Sequence, residues 1–172
     1  MKKIKLYITT SFDGYITPPD GSLEWLIDYP IPSKEDHKLF LESVDTVILS
    51  TSVYHELCFM DIVWPYTGKI VYIVGEYPII NRENTSIIAS NSLEKIYALK
   101  QAEGKDIWLV GDIDLIDLLL KDNLIDEMII TYVPEKLGSG ISLFPNGIES
   151  KWIKKEEIRY KNNATRKIFR LL

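Results

Sequence analysis

Short apolar segments are spaced along most of the chain, with longer mixed segments between them. Residues 4–8 alternate between apolar and polar positions, which predicts a strand close to the N-terminus. The runs 46–49, 69–74, 107–110 and 128–133 are short and mainly apolar, as expected for strands buried in a parallel sheet. Strands of this kind are normally connected by helices, so we expect helices in the intervening segments.

Three of those intervening segments carry helix signals. The segment 33–44 begins at Ser33, a residue type that caps helix N-termini, and 50–57 begins with a row of hydroxyl residues. A third amphipathic pattern extends over 92–103 and ends before Gly104. The pattern therefore alternates between strand and helix.

The stretch 107–145 is the most informative part of the chain. Its first strand is followed at once by Gly111, and Asp112 or Asp114 can cap the helix that comes next. Ligands of open α/β sheets bind outside the carboxyl ends of the strands. The turn at Gly111 is therefore a candidate binding site.

The end of the chain has a different pattern. The segments 152–160 and 166–171 alternate on either side of the polar turn 161–164, which predicts an antiparallel hairpin. The predicted fold class is α/β: a mainly parallel central sheet, helices on both faces, and this hairpin at its edge. A length of 172 residues suits one domain over 1–172.

Composition and charge narrow the classes of partner. A net charge of −5 argues against non-specific binding to nucleic acid or to anionic membranes. No apolar run approaches the roughly 20 residues that span a bilayer, and the N-terminal run is too interrupted for a signal peptide. Cys58 is the one cysteine, so no internal disulfide forms, and we expect a cytoplasmic protein.

Neither a metal site nor a hydrolase site is predicted. Asp106, Asp112, Asp114 and Asp117 crowd a short span, but they lack the spacing of a calcium loop and no histidine joins them. Helix capping explains them better. The serine at 139 lies between two glycines but lacks the strand-to-helix setting of a nucleophile elbow.

Several short motifs together resemble one family. S-F-D-G-Y-I at 11–16 is similar to S-x-D-G-x-I, and V-G at 110–111, L-I-D-E at 124–127, L-G-S-G at 137–140 and L-F-P at 143–145 follow in the same order as in that family. The family is the dihydrofolate reductase-like proteins, in the branch that contains the reductase domain of riboflavin-biosynthesis enzymes.

The resemblance implies a nicotinamide-dependent reductase of a flat pteridine- or pyrimidine-like heterocycle, of the dihydrofolate reductase or 5-amino-6-(5-phosphoribosylamino)uracil reductase type. It implies NADPH or NADH as cofactor, a small heterocyclic substrate, and a homodimer. Carried over residue by residue, Asp13 is the catalytic candidate, supporting the lid or the substrate. The implied substrate-binding residues are Trp25, Asp36, Val110 and Thr131. The implied cofactor-binding residues are Thr9, Ile16, Ser50, Thr51, Ser52, Gly75, Glu76, Gly111, Asp112 and Ile113.

Some of these residues also have a purely structural explanation. Asp13 precedes a glycine and is explained equally well as a turn residue. Trp25 is explained by core packing, and Asp36 by a solvated charge on a helix. Both explanations stay open for each residue at the level of sequence.

The chain departs from the family pattern where phosphate binds. After the second strand the family has G-R-x-T-Y, whereas 50–54 reads S-T-S-V-Y, and Asp112 replaces the second glycine of V-G-G. Glu76 adds a carboxylate near the expected ribose position. We therefore expect a weakly held cofactor with no strong preference for the 2′-phosphate. The alternative is a non-catalytic binding or assembly protein that kept the fold and lost cofactor binding.

Overall fold

The computed structural model describes residues 1–29, 33–60, 62–75, 82–145 and 147–172. The elements in chain order are β1 (Ile4–Thr10), β2 (Tyr15–Thr17), α1 (Lys34–Ser43), β3 (Val44–Ser50), α2 (Thr51–Phe59), β4 (Ile70–Val74), β5 (Thr85–Ile88), α3 (Leu93–Gln101), β6 (Asp106–Val110), α4 (Ile113–Lys121), β7 (Glu127–Tyr132), β8 (Ile141–Ser142), β9 (Trp152–Arg159) and β10 (Thr165–Leu171). A short 3-10 helix, Glu24–Leu26, precedes α1.

The chain forms two compact units. The first comprises Met1–Lys5 and Leu39–Ile125, and the second comprises Leu6–Lys38 and Asp126–Leu172. The boundary falls within β1 and again within α1. The single domain expected over 1–172 stays a prediction.

The first unit is built on parallel strands. β3 pairs with β4 on one side and with β6 on the other, and β5 pairs with β4. Ile48 of β3 lies opposite Leu109 of β6, and both side chains are fully buried. Their continuous apolar runs therefore form buried strands, as the pattern predicted.

Aromatic side chains extend the core of the first unit. Tyr54 packs edge-to-face on Trp64, Trp64 on Tyr66, and Tyr66 on Trp108, with ring centroids 5.2–5.9 Å apart. This geometry places the positive edge of one ring against the negative face of the next. Burial raises the pKa of Tyr66 to about 12. The aromatic cluster packs against Val47 and Leu49 of β3. Tyr54, the buried residue of α2, attaches this helix to the cluster.

The second unit is built on antiparallel strands. β10 pairs with β7 on one side and with β9 on the other, which confirms the predicted C-terminal hairpin. Thr131 of β7 lies opposite Arg166 of β10, and Ile130 is fully buried. The β9–β10 register shifts by a bulge between Ile168 and Phe169.

A small two-stranded sheet was not predicted. β2 and β8 pair antiparallel, with Tyr15 opposite Ser142 and Thr17 opposite Ile141. Two glycines and two prolines within 11–22 favour a loop, and a three-residue strand has almost no local pattern. The partner strand lies more than a hundred residues further along the chain.

The α/β fold class is confirmed: strands of a mainly parallel sheet, helices, and an antiparallel C-terminal hairpin. None of the helices in the described part of the chain combines the length and the apolar character needed to cross a membrane.

Candidate functional site

A cavity of about 290 Å³ opens in the first unit where its parallel strands end. Ser50 is the last residue of β3, Gly75 follows β4, and Asp112 follows the turn after β6. Because parallel strands end at the same edge of a sheet, these residues meet there. The cavity is lined by Ser50, Thr51, Ser52, Val74, Gly75, Ser90, Asp112, Asp114, Leu115 and Leu118.

Gly75 allows the strand end to approach helix α2 closely. Its φ is +141°, and an added Cβ would lie 2.0 Å from Oγ1 of Thr51. The Thr51 hydroxyl donates a hydrogen bond of 3.2 Å to the carbonyl oxygen of Val74. Only glycine combines this backbone conformation with the space available. The start of α2 is therefore held against the end of β4.

Both helix N-termini at the cavity are capped by side chains of the chain itself. Asp112 caps α4, with Oδ1 accepting from the backbone N–H of Leu115 at 3.1 Å. Its Oδ2 accepts a hydrogen bond from the Ser52 hydroxyl. Ser50 caps α2 through the N–H of Val53 and also accepts from the N–H of Asp112 at 3.3 Å. These contacts occupy donors that would otherwise be open to an anion.

The lining suits the ribose groups of a nicotinamide dinucleotide but not its phosphates. Its position, at strand ends and beside two helix starts, is where dinucleotides bind in α/β folds. Its hydroxyl groups suit the hydroxyls of a ribose. The described lining holds two carboxylates, Asp112 and Asp114, and contains no lysine or arginine. It therefore fits an uncharged sugar better than a phosphate.

Not every predicted cofactor residue lies in this lining. Gly111 and Ile113 flank Asp112, and an added Cβ at Gly111 would lie 2.9 Å from the Leu115 side chain, so this glycine serves close helix packing. Val110, predicted to bind substrate, packs half-buried against the aromatic cluster of the first unit. Glu76 lies outside the described residues.

Asp13 lies in the second unit and is held by three donors. Its carboxylate accepts from the Ser11 hydroxyl at 2.7 Å and from the backbone N–H groups of Leu137 and Gly138 at 3.2 and 2.8 Å. Desolvation raises the pKa of Asp13, but the hydrogen bonds from Ser11 and from the two backbone groups outweigh it and lower the pKa overall. The side chain therefore ties two loops together as a carboxylate.

The two loops joined by Asp13 form one assembly, here called the loop pair, residues 11–17 and 135–143. Phe12 N–H donates to the carbonyl of Glu135 at 2.7 Å, and Leu143 N–H donates to that of Gly14 at 3.2 Å. Ile16, predicted to meet the cofactor, lies at the centre of β2 within this pair. Its backbone position is therefore set by long-range pairing.

Asp36 is not a solvated helix charge. Its Oδ2 accepts from the Tyr160 hydroxyl at 2.6 Å and pairs with Nη1 of Arg166 at 3.0 Å. Burial is the largest cause that raises the pKa of Tyr160, and the hydrogen bond to Asp36 raises it further. Thr131, opposite Arg166, is buried. Asp36 and Thr131 thus lie near the same arginine.

Thr9 and Trp25, also predicted from the resemblance, are both half-buried. Thr9 lies in β1 and Trp25 in the 3-10 helix. The Trp25 indole nitrogen is buried and has no hydrogen-bond partner among the residues that the structure describes. The roles assigned to both residues stay predictions.

Comparison with known proteins identifies the family. The model of the RibD C-terminal domain matches residues 77–166. The chain belongs to the RibD C-terminal domain family. It is 37% identical to YwjB of Bacillus subtilis, an uncharacterized protein, over 144 residues that cover 83% of each chain.

Solved structures place this family member in the dihydrofolate reductase-like fold. A protein of Shewanella sp. PV-4 assigned to riboflavin biosynthesis is similar at a TM-score of 0.81 and 25% identity, covering 99% of both chains. Dihydrofolate reductase of Enterococcus faecalis, complexed with NADP(H), is similar at a TM-score of 0.68 and 17% identity, covering 98% of this chain and 96% of its own. The second likeness concerns the fold alone.

Sequence analysis missed several residues of this RibD-type domain. The cavity lining is completed by Val74, Ser90, Asp114, Leu115 and Leu118, and Asp36 contacts Arg166 and Tyr160. The alternation of β9 and β10 predicted the hairpin, but no local signal shows which residue of another element a strand residue faces. In the described ranges, no group of three or more histidine, cysteine or acidic residues could hold a metal ion.

Proposed function

We propose that the protein is an NAD(P)H-dependent reductase of a pteridine- or pyrimidine-like heterocycle, of the dihydrofolate reductase or 5-amino-6-(5-phosphoribosylamino)uracil reductase type. One observation carries the proposal: the cavity at the strand ends of the first unit. It gathers five residues that the resemblance assigned to the cofactor, namely Ser50, Thr51, Ser52, Gly75 and Asp112. Membership of the RibD C-terminal domain family supports the same reaction class.

A bound nicotinamide cofactor would supply the hydride that reduces the substrate. The residues of the chain would bind the cofactor and the substrate and orient them for the transfer. The hydroxyls of Ser50, Thr51 and Ser52 would hold the nucleotide through the hydroxyls of its ribose, beside Gly75. Thr9 and Ile16 are proposed to meet the nicotinamide through backbone groups.

The substrate side is proposed from the second unit. Asp36, Thr131 and Trp25 would position the heterocycle. Asp13 holds the loop pair as a carboxylate with three donors, so its proposed role is to keep a lid closed and water out during transfer. Hydride transfer requires no protein nucleophile.

A second function is favoured by one observation. Asp112 and Ser50 already occupy the helix N–H groups at the cavity, and two carboxylates line it. A protein that kept the fold as a binding or assembly module would show this arrangement. In that case, neither nicotinamide cofactor would bind.

Calorimetric titration with NADH and NADPH separates the two functions. The reductase proposal expects saturable binding of at least one cofactor, and its oxidation when dihydrofolate or 5-amino-6-(5-phosphoribosylamino)uracil is added. Sedimentation of the same sample tests the proposed homodimer. Absence of binding by both cofactors, with the protein folded by circular dichroism, would reject the reductase in favour of the binding module.

A further inference from the structure

A second cavity, of about 500 Å³, lies in the second unit and is here called the hairpin cavity. Its lining combines Phe12 of the loop pair, the end of β7 at Tyr132, and residues of the β9–β10 hairpin. None of the residues assigned to the cofactor or to the substrate belongs to the lining. The volume falls within the range of small-molecule sites, about 300–1,000 Å³.

Strand register brings the lining residues together on one face of the sheet. Tyr132 of β7 lies opposite Thr165 of β10, and Thr165 lies opposite Arg159 of β9. Two positions along β10, Lys167 lies opposite Glu157. All five residues line the hairpin cavity. Because cross-strand partners share a face, the pairing of three strands assembles this part of the lining.

The contacts of Asp36 lie on the opposite face. Arg166, which pairs with Asp36, falls between Thr165 and Lys167 in β10. Successive residues of a strand point to opposite faces of the sheet. The hairpin cavity is therefore separated by the sheet from the residues proposed to position the heterocycle.

Two cations line the hairpin cavity without a carboxylate partner among the described residues. The ammonium nitrogen of Lys167 lies 4.9 Å from the centre of the Tyr132 ring and forms no ion pair in the described part of the chain. The guanidinium of Arg159 donates to the side-chain oxygen of Asn163 at 3.4 Å, and Arg159 is exposed. Both groups therefore have N–H donors left for an acceptor.

The carboxylate of the described lining does not neutralise both cations. Glu157 pairs with Lys154, a residue outside the lining, at 2.5 Å. The hydrogen bond from Lys154 is the largest cause that lowers the pKa of Glu157, and the charge of Lys167 lowers it further. The lining thus keeps a positive charge, although the chain carries a net charge of −5.

Positive charge beside aromatic surface suits a planar anion. A ring can pack on Phe12, whose side chain is 74% exposed, and on Tyr132. The anionic group of the same molecule can accept from Lys167 and Arg159, as carboxylates and phosphates do from ammonium and guanidinium groups. A neutral ring would leave the cations without an acceptor, and a small anion would leave the aromatic surface open.

We propose that the hairpin cavity is a second ligand site, which takes a planar aromatic ring carrying one carboxylate or phosphate group. Lys167 and Arg159 bind the anionic group, and Phe12 and Tyr132 pack on the ring. Phe12 N–H is bonded to the carbonyl of Glu135 within the loop pair, so the ligand also stabilises the loop pair. This site goes beyond the proposed reductase function and does not depend on it.

The test compares probes that differ in one feature. 2-Naphthoate carries the ring and the charge, 2-naphthamide keeps the ring without the charge, and acetate keeps the carboxylate without the ring. Calorimetric titration of the whole chain is expected to show saturable binding of 2-naphthoate, at least about tenfold tighter than of the other two. 2-Naphthyl phosphate against 2-naphthol repeats the comparison, and the tighter of the two anions identifies the anionic group.

Charge variants locate the binding. Lys167→Gln and Arg159→Gln should each weaken 2-naphthoate binding about tenfold, whereas Glu157→Gln should strengthen it. Lys155→Gln is the matched control, because Lys155 is an exposed cation of β9 outside the lining, and it should leave the affinity unchanged. If Lys167→Gln does not fold by circular dichroism, Arg159→Gln decides, since Arg159 is exposed.

Hydrogen exchange provides a separate readout, in which 2-naphthoate is expected to slow exchange of backbone N–H groups in the loop pair. Absence of binding by both naphthyl anions, equal binding of 2-naphthamide, an affinity unchanged in the Lys167 and Arg159 variants, or an equal loss in Lys155→Gln would overturn the proposal. Unchanged exchange in the loop pair on binding would overturn it as well. The reductase proposal fails on NADH and NADPH titration, which these experiments do not contain.

Discussion

Asp112 joins the starts of two helices, because it caps α4 and accepts a hydrogen bond from Ser52 in the first turn of α2. The contact links residues 60 positions apart in the chain. Its effect is local and electrostatic. The Asp112 carboxylate occupies the backbone N–H of Leu115 and the hydroxyl of Ser52, two donors that a phosphate would use. It also adds a negative charge between them.

The first prediction concerns this carboxylate. Asp112→Gly is expected to strengthen NADPH binding by about ten- to a hundredfold, since a charge-assisted hydrogen bond is worth roughly 1.5–3 kcal/mol. Glycine at a helix N-cap costs only a few tenths of a kcal/mol, so the fold should be kept. Calorimetric titration with NADPH and NADH measures the effect.

Two further variants separate charge from capping. Asp112→Asn keeps a capping oxygen and removes the charge, whereas Asp117→Asn removes an exposed charge from the same helix outside the cavity lining. The first should strengthen binding and the second should not. Tight NADPH binding by the wild type, unchanged or weakened in Asp112→Gly, would show that the Asp112 carboxylate does not oppose the cofactor.

The second prediction concerns the approach of Gly75 to Thr51. Gly75→Ala places a Cβ 2.0 Å from Thr51 Oγ1 at a φ of +141°, and it should destabilise the protein by about 1–3 kcal/mol or more. Gly21→Ala is the matched control, because Gly21 also has positive φ but open space around its Cβ position. Urea denaturation measures the free energy of unfolding of both variants. Equal losses would mean that backbone strain alone, and not the collision, sets the cost.

The third prediction concerns the core of the second unit. Ile130 is fully buried in β7, so Ile130→Ala should cost about 2–5 kcal/mol through lost transfer energy and the cavity left behind. Ile70→Ala, at a strand position that is 49% exposed, should cost much less. Chemical denaturation followed by tryptophan fluorescence measures both. An unchanged midpoint for Ile130→Ala would contradict the burial of this strand.

The fourth prediction concerns pH and the loop pair. The pKa of Asp13 is lowered from its usual 3.8 in the folded protein, so its carboxylate contributes stability above pH 3.8, and this contribution is lost as the pH falls through the lowered folded value. The melting temperature of Asp13→Asn should therefore lie below that of the wild type at neutral pH, and the difference should shrink in acid.

Asp28→Asn, a change of the same kind in the loop before α1, should follow the wild type across this pH range. Thermal melts by circular dichroism between neutral and acidic pH provide the comparison. A difference between Asp13→Asn and wild type that stays constant down to the acid limit would show that the three hydrogen bonds do not depend on the charge of Asp13.

Local patterns in the sequence determined most of the helices and strands of this protein, whereas β2 and β8 left no local signal. The alternation at 4–8, the apolar runs of β3, β4 and β6, and the glycine after β6 are all recorded in neighbouring residues, since a strand or a helix is defined by contacts within a few positions. The end of β6 also predicted a helix cap at Asp112 or Asp114, and the structure places the cap at Asp112. The resemblance in short motifs then correctly identified the family.

Only the tertiary structure decided which side chains meet. Asp36 was open to two interpretations in the sequence, and its partners Tyr160 and Arg166 lie more than 120 positions away. Register decides such contacts: a slip of one residue in β10 would turn Arg166 to the other face and bring Lys167 in its place. The hydrogen bonds between Asp13 and Gly138 and between Ser52 and Asp112 likewise join residues that are far apart in the chain. Sequence spacing defines the elements, but the pairing of distant strands, set by the packing of the whole core, determines the site.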